Sequence, residues 1–286
     1  MRWTSGDRSN VEDARGSSGG MRAVPFGIGG VIVLALLSMY TGVDFLSMFS
    51  GGDGVPTSTS VGTSGGGNVA TTPEEEKMVD FVDAVTRDAQ ETWSDILGNR
   101  YQPTKVVLFR DQIDTACGFA QSATGPFYCP GDRKVYLDLG FYDELQRRFG
   151  APGDFAQAYV LAHELGHHVQ RLTGTESQVR QAQQANPGSA NELSVRLELQ
   201  ADCYAGVWGH TAAQPGRAAK GEVELDPGDV EEGLHAAAAI GDDRLQRLAT
   251  GRVMPEKFTH GSSEQRVTWF RRGLDSGDPN ACDTFK

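Results

Sequence analysis

The stretch DFAQAYVLAHELGHHVQRL, residues 154–172, decides the fold and the chemistry of this chain. Phe155, Tyr159 and Ala162 recur at helical spacing, so the pattern predicts a helix with one apolar face and with Asp154 as its N-cap. We expect this helix to lie at the centre of the folded part of the protein.

The central helix carries the motif His163-Glu164-Leu165-Gly166-His167, an HExxH sequence. Residues four apart lie on one face of a helix, so both imidazoles can reach a single metal ion. A zinc ion lowers the pKa of a bound water, and a neighbouring carboxylate can then accept its proton. The motif therefore predicts His163 and His167 as ligands of one catalytic zinc ion and Glu164 as the general base.

A catalytic zinc site needs a third protein ligand and keeps one position open. The next long helix offers Glu198, which is followed four residues later by Asp202, so that both carboxylates share one helix face. Glu192 is the rival ligand, but no acid follows it at the same spacing.

The pair Glu198 and Asp202 resembles the glutamate-zincins, in which a second helix with the pattern ExxxD follows HExxH. This resemblance implies that Glu198 is the third ligand and that Asp202 accepts a hydrogen bond from a ligand histidine, His163, and orients it. Leu197 departs from the pattern, because some members have a polar residue there that supports the other histidine. The group that orients His167 is therefore left open.

Four other histidines remain. In glutamate-zincins a histidine beyond the third ligand often stabilises the oxyanion, and His260 is the candidate for this catalytic role. A loop histidine that caps the following helix explains His260 equally well, and Tyr204 and Tyr136 are weaker candidates. For the three others we expect packing or surface positions; these are His168, His210 and His235.

Residues 23–43, AVPFGIGGVIVLALLSMYTGV, contain no charge and are long enough for a helix that crosses a bilayer. A cleaved signal peptide and a buried core helix are the alternatives. Four arginines precede the segment and Asp44 follows it, so the positive-inside rule predicts a cytoplasmic N-terminus and a catalytic domain outside. The predicted parts are a polar tail (1–22), a transmembrane helix (23–43), a Gly/Ser/Thr-rich linker (44–72) and a metallopeptidase domain (73–286).

The four cysteines all follow the apolar segment, which suits two disulfides in an oxidising compartment. Spacing alone allows three pairings, and four separate thiols are also possible. Cys117 and Cys129 bracket a loop with Gly and Pro, so we favour Cys117–Cys129 and hence Cys203–Cys282.

The remaining pattern predicts an α+β domain that is mainly helical with a small sheet. Helices are expected near 73–97, 141–149, 191–210, 227–249 and 264–274, and strands at 105–110 and 134–139. By analogy with zincin folds, Val135 to Asp138 is the candidate edge strand beside the cleft. A net charge of −12 argues against nucleic-acid binding.

Several longer segments together resemble the bacterial neutral zinc metallopeptidase family. These are MRW-x-x-G-x-RS, ACGFAQSATGPFYCP, KVYLD, HELGHHVQ, ELQADCYAGVW, FTHGSSEQRV-x-WF and ACDTF. The resemblance implies a membrane-anchored zinc peptidase with a zincin-like domain and a peptide or protein substrate. The alternatives are a catalytically silent metal-binding scaffold at the membrane and a zinc hydrolase that acts on non-protein amides. The sequence indicates neither the oligomeric state nor the substrate.

Overall fold

Eight helices and six strands make up the part of the chain that the computed structural model describes, residues 1–16 and 71–286. The strands are β1 (Val11–Asp13), β2 (Val106–Phe109), β3 (Gln112–Thr115), β4 (Gly118–Gln121), β5 (Phe127–Cys129) and β6 (Lys134–Asp138). The helices are α1 (Pro73–Leu97), α2 (Gly140–Arg147), α3 (Asp154–Thr173), α4 (Thr175–Ala185), α5 (Ala190–Ala212), α6 (Asp229–Ala239), α7 (Asp242–Thr250) and α8 (Ser263–Ser276). This composition confirms the prediction of a mainly helical α+β domain.

The main sheet has the order β1–β2–β6–β5, in which only β5 runs antiparallel to its neighbour. All four residues of β2 are buried, as a strand enclosed on both sides requires. Strand β6 lies between β2 and β5, so the prediction that Val135 to Asp138 form the edge strand is wrong. The edge beside the central helix is β5, which belongs to a segment that was interpreted as a loop.

Helices α3, α5 and α8 pack closely because glycines stand where they meet. A Cβ atom on Gly166 would lie 3.0 Å from the Ala201 carbonyl oxygen, which leaves little room between α3 and α5. The crossing of α5 and α8 is tighter, since a Cβ on Gly273 would overlap the Cys203 carbonyl group. These contacts place one face of α3 and the second half of α8 against the middle of α5.

Element boundaries differ from the sequence prediction at several points. The predicted helix 227–249 is two helices, α6 and α7, separated at Ile240 and Gly241. Helix α4 was not predicted, and Gly153, not Asp154, is the N-cap of α3. Both predicted disulfides, Cys117–Cys129 and Cys203–Cys282, are present.

The first sixteen residues belong to the folded domain, which corrects the prediction of a separate polar tail and of a domain that begins at residue 73. Strand β1 pairs with β2 from Val11 to Asp13. The Trp3 ring lies edge-on to Phe81, with the ring centroids 5.7 Å apart. Arginines of this segment pair with acidic residues of the domain, among them Arg8 with Asp80 at 2.6 Å.

Backbone pairing between β1 and β2 requires that residues 1–16 and 71–286 lie on the same side of any membrane. The predicted arrangement, with the N-terminus in the cytoplasm and the domain outside, conflicts with this contact. The predicted span 23–43 and nearly all of the predicted linker 44–72 lie outside the described residues. Among the described residues, none of the helices combines the length and the apolar character that a bilayer crossing needs.

A thiol-labelling experiment tests this sidedness. Ser5→Cys and Ala185→Cys each place one thiol at an exposed position, and all four native cysteines are in disulfides. In intact cells a membrane-impermeant maleimide should label both variants or neither, and after solubilisation it should label both. Labelling of only one variant in intact cells would contradict the pairing of β1 with β2.

Candidate metal centre

Three donor atoms from two helices converge on one point. Helix α3 supplies the Nε2 atoms of His163 and His167, and α5 supplies the carboxylate of Glu198. Glu198 Oε2 lies 3.1 Å from His163 Nε2, and Oε1 lies 3.5 Å from His167 Nε2. All three side chains are mostly buried, with exposures of 7%, 17% and 19%.

His163 is oriented by a buried group of polar side chains. Its Nδ1 donates to Asp202 Oδ1 at 2.8 Å, and Asp202 is fully buried. Arg266 on α8 donates to both carboxylate oxygens of Asp202, at 2.9 and 2.8 Å, and the Tyr159 hydroxyl donates to Oδ1 as well. Asp202 thus lies where it can orient His163, as the sequence predicted. The contacts of Arg266 and Tyr159 with Asp202 were not predicted.

The charges of this group set the protonation states. Burial raises the pKa of Asp202, but Arg266 and His163 outweigh it, so that its pKa lies below the ordinary value. Burial disfavours the charged form of His163, but the charge and hydrogen bond of Asp202 raise its pKa to about 10. A metal ion must therefore displace a proton from His163, and metal binding is expected to release protons at neutral pH.

His167 is oriented by Gln170, one turn further along α3. Its Nδ1 lies 2.9 Å from Gln170 Oε1, and the Gln170 amide in turn donates to the Leu197 carbonyl oxygen at 2.7 Å. The group that orients His167, which the sequence left open, is therefore Gln170. Leu197 has no polar side chain, but its backbone carbonyl oxygen holds Gln170 in place.

Glu164 lies beside the three donors without joining them. Burial raises its pKa, the histidine charges oppose this rise, and a hydrogen bond from the Tyr128 backbone also opposes it. The carboxylate is 7% exposed. A raised pKa brings a carboxylate closer to the range in which a general base both accepts and returns a proton.

His260 lies across the site in the loop before α8, and its side chain is about half exposed (52%). Its Nδ1 is 3.2 Å from Asp242 Oδ1. Asp242 also accepts the backbone N–H groups of Thr259, His260 and Gly261, so it fixes the loop. Burial opposes the charge on His260, but the hydrogen bond of Asp242 and the charge of Glu198 raise its pKa.

The other residues weighed in the sequence lie elsewhere. Glu192 pairs with Arg196 and its side chain is 65% exposed. His168 is buried and contacts the Tyr128 hydroxyl at 3.0 Å, so it is a packing residue as expected. The Tyr136 hydroxyl donates to Asp132 at 2.6 Å, and the Tyr204 ring packs on Trp93. His210 hydrogen-bonds the Leu274 carbonyl oxygen, and His235 is exposed.

The donor set fits zinc. Ligands about 2.0–2.2 Å from a tetrahedral ion lie roughly 3.3 Å from each other, close to the separations between Glu198 and the two imidazoles. Two neutral imidazoles and one carboxylate are a ligand set of catalytic zinc sites. Both Nδ1 atoms have hydrogen-bond partners, which directs the Nε2 lone pairs to the shared point.

The α+β fold brings the two histidines of the HExxH sequence on α3 and Glu198 on α5 to one point, where together they could hold a metal ion. The chain belongs to the family described as "Putative neutral zinc metallopeptidase", whose family model matches residues 1–285. Zinc is therefore the metal that the family implies.

Two relatives are similar over much of the chain. "Uncharacterized protein YpfJ" from Escherichia coli is 48% identical, covering 100% of this chain and 99% of that protein. "Uncharacterized protein Rv2575" from Mycobacterium tuberculosis is 47% identical, covering 68% of this chain and 66% of that protein. No solved structure matches the chain.

A double-mutant cycle tests the buried pair of Arg266 and Asp202. Arg266→Met leaves the Asp202 charge without its partner and should lower the free energy of unfolding by about 3–5 kcal/mol. Adding Asp202→Asn removes that charge, so the double variant should be more stable than the sum of the single effects by about 0.5–3 kcal/mol. Urea unfolding of the zinc-free full-length protein measures both quantities, and strictly additive losses would show that the pair is not coupled.

Proposed function

We propose that this protein is a zinc-dependent peptidase in which one zinc ion is held by His163, His167 and Glu198. The main support is that the carboxylate of Glu198 lies 3.1 Å from His163 Nε2 and 3.5 Å from His167 Nε2, so that three donors converge on one point. The Nδ1 atom of each imidazole is also hydrogen-bonded, that of His163 to Asp202 and that of His167 to Gln170. A site built only for structure has no need of a buried glutamate beside its ligands, and Glu164 occupies that place.

When bound, zinc would polarise the scissile carbonyl and acidify a water molecule. Glu164 then accepts the proton of the attacking water and passes it to the leaving amine, which a buried carboxylate with a raised pKa is suited to do. His260 donates to the oxyanion from Nε2. Because Asp242 holds Nδ1 and the pKa of His260 is raised, the imidazole keeps a second N–H group for this purpose.

The edge strand β5 would bind the substrate backbone. Within the described part of the chain it pairs with β6 alone, and its Tyr128 backbone forms a hydrogen bond to Glu164. An extended peptide can add to such an edge by main-chain hydrogen bonds. This strand therefore favours a polypeptide substrate over the other amide-containing substrates that zinc hydrolases cleave.

Residues 23–43 would attach the protein to a membrane, as their uncharged sequence indicates. Because β1 pairs with β2, residues 1–16 and the catalytic domain share one side in this proposal, so residues 23–43 would enter and leave the membrane on that side and not cross it as a single helix. The disulfides favour an oxidising compartment for that side.

Metal analysis of the full-length protein tests the ligand set. The wild type should contain about one zinc ion per chain, and Glu198→Ala should lower zinc affinity by more than about 100-fold, since even outer-shell losses cost 10–100-fold. Glu192→Ala is the matched control, because it removes an exposed glutamate from the same helix. Equal zinc content in both variants would exclude Glu198 as a ligand.

Substitution of the general base tests the reaction. Glu164→Gln should retain zinc and lower peptide hydrolysis by roughly 10²–10⁴-fold, because the amide cannot accept the proton. Hydrolysis of an unstructured protein, followed by mass spectrometry of the products, measures this loss. Wild-type turnover in Glu164→Gln would contradict the assigned role, and zinc-loaded wild type without peptide cleavage would favour the scaffold or another amide substrate.

A further inference from the structure

The hydrogen bond that orients His167 is the first link of a chain of amide groups. Gln170 is completely buried, and its Nε2 donates to two acceptors, the Leu197 carbonyl oxygen at 2.7 Å and Gln200 Oε1 at 3.1 Å. Both partners can only accept here, so the NH₂ end of Gln170 must face them and its oxygen must face His167. His167 therefore donates from Nδ1 and keeps its Nε2 lone pair for a metal.

The second link fixes Gln200 in the same way. Its oxygen accepts from Gln170, and its Nε2 donates to the Cys282 carbonyl oxygen at 3.0 Å. Gln200 is 6% exposed, so water offers little replacement for a lost partner. The direction of the Gln200 amide thus depends on the Cys282 carbonyl group, and through Gln200 this carbonyl adds to the hold that the Leu197 carbonyl group has on Gln170.

A disulfide holds that carbonyl group in place. Cys282 ends the 3₁₀ turn Pro279–Cys282 and is bonded to Cys203 on α5, three residues after Gln200. The bond lies in the core, because both cysteines are fully buried. Beyond the turn, the Thr284 hydroxyl donates to the Arg196 carbonyl oxygen at 2.7 Å, which is one further attachment to α5.

We propose that Gln170 and Gln200 are positioning residues that hold His167 in its metal-binding orientation, and that the Cys203–Cys282 disulfide anchors them. Breaking this disulfide therefore weakens metal binding, although neither cysteine is a ligand. This inference rests on the proposed metal site and adds a redox dependence to it. A dithiol that reduces Cys203–Cys282 is itself oxidised to a disulfide and leaves two thiols, after which the turn is no longer bonded to α5.

The second disulfide provides a matched control. Cys117–Cys129 joins the segment before β4 to β5, and the amide chain that runs from His167 through Gln170 and Gln200 to Cys282 does not include it. Its loss is expected to leave the orientation of both histidines unchanged.

Zinc affinity of the full-length protein, measured by competition with a chromophoric chelator, tests the proposal. Gln170→Ala should weaken zinc binding by about 10–100-fold, the usual effect of removing an orienting partner. Gln200→Ala and the double variant Cys203→Ala/Cys282→Ala should weaken it in the same direction, and Cys117→Ala/Cys129→Ala should stay within about twofold of the wild type. The visible spectrum of the cobalt-loaded protein should change in the first three variants and stay unchanged in the control.

Unchanged affinity and spectrum in both glutamine variants would overturn the proposal. The same holds if the control pair weakens zinc binding as much as the Cys203/Cys282 pair does. Should the latter variant fail to fold, the two single glutamine substitutions still decide the question. A wild type that binds no zinc would refute the proposed metal site as well, whereas zinc binding that depends on Glu198 but not on the glutamines refutes this inference alone.

Discussion

The buried carboxylate of Asp202 is the group on which the arrangement of the candidate metal centre depends. It joins three helices, because it belongs to α5, accepts from His163 on α3 and is paired with Arg266 on α8. A carboxylate with no exposure is tolerated only when its charge and lone pairs are matched, and Arg266 and Tyr159 supply that match. Gly273 lets α8 approach α5 closely, which brings the guanidinium within reach of Asp202. The geometry of the candidate site and the packing of the helices therefore depend on the same group.

The candidate ligand residues could be selected from the sequence because each pair of positions shares one helix face. His163 and His167 share a helix face, as do Glu198 and Asp202, and a spacing of four residues is sufficient to show it. Whether the two helix faces meet depends on long-range packing. The expectation that they do came from the resemblance to glutamate-zincins. Arg266 escaped prediction for this reason, because its contact with Asp202 is long-range. Gln170 stands three residues after His167, at a helical spacing that could have drawn attention, whereas no local signal links Arg266 to Asp202.

The sheet and the N-terminal segment were harder to predict because their partners are distant in sequence. Strand β5 has three residues, too few to show alternation, so the longer and more apolar β6 was taken as the edge. Residues 1–16 are polar, and their arginines were interpreted as a positive-inside signal. In the structure Arg8 and Arg15 pair with acidic residues at the start of α1, a use of charge that composition alone does not reveal.

Anomalous diffraction at the zinc edge from crystals of the zinc-loaded protein locates the metal ion relative to the proposed ligands. The account predicts one strong peak between His163 Nε2, His167 Nε2 and the Glu198 carboxylate, with Glu164 beside it and outside bonding distance. A second group of acidic side chains, Asp154, Asp229 and Glu232, also lies close together in the structure. A peak at that group alone, or no peak at the histidines, would contradict the account.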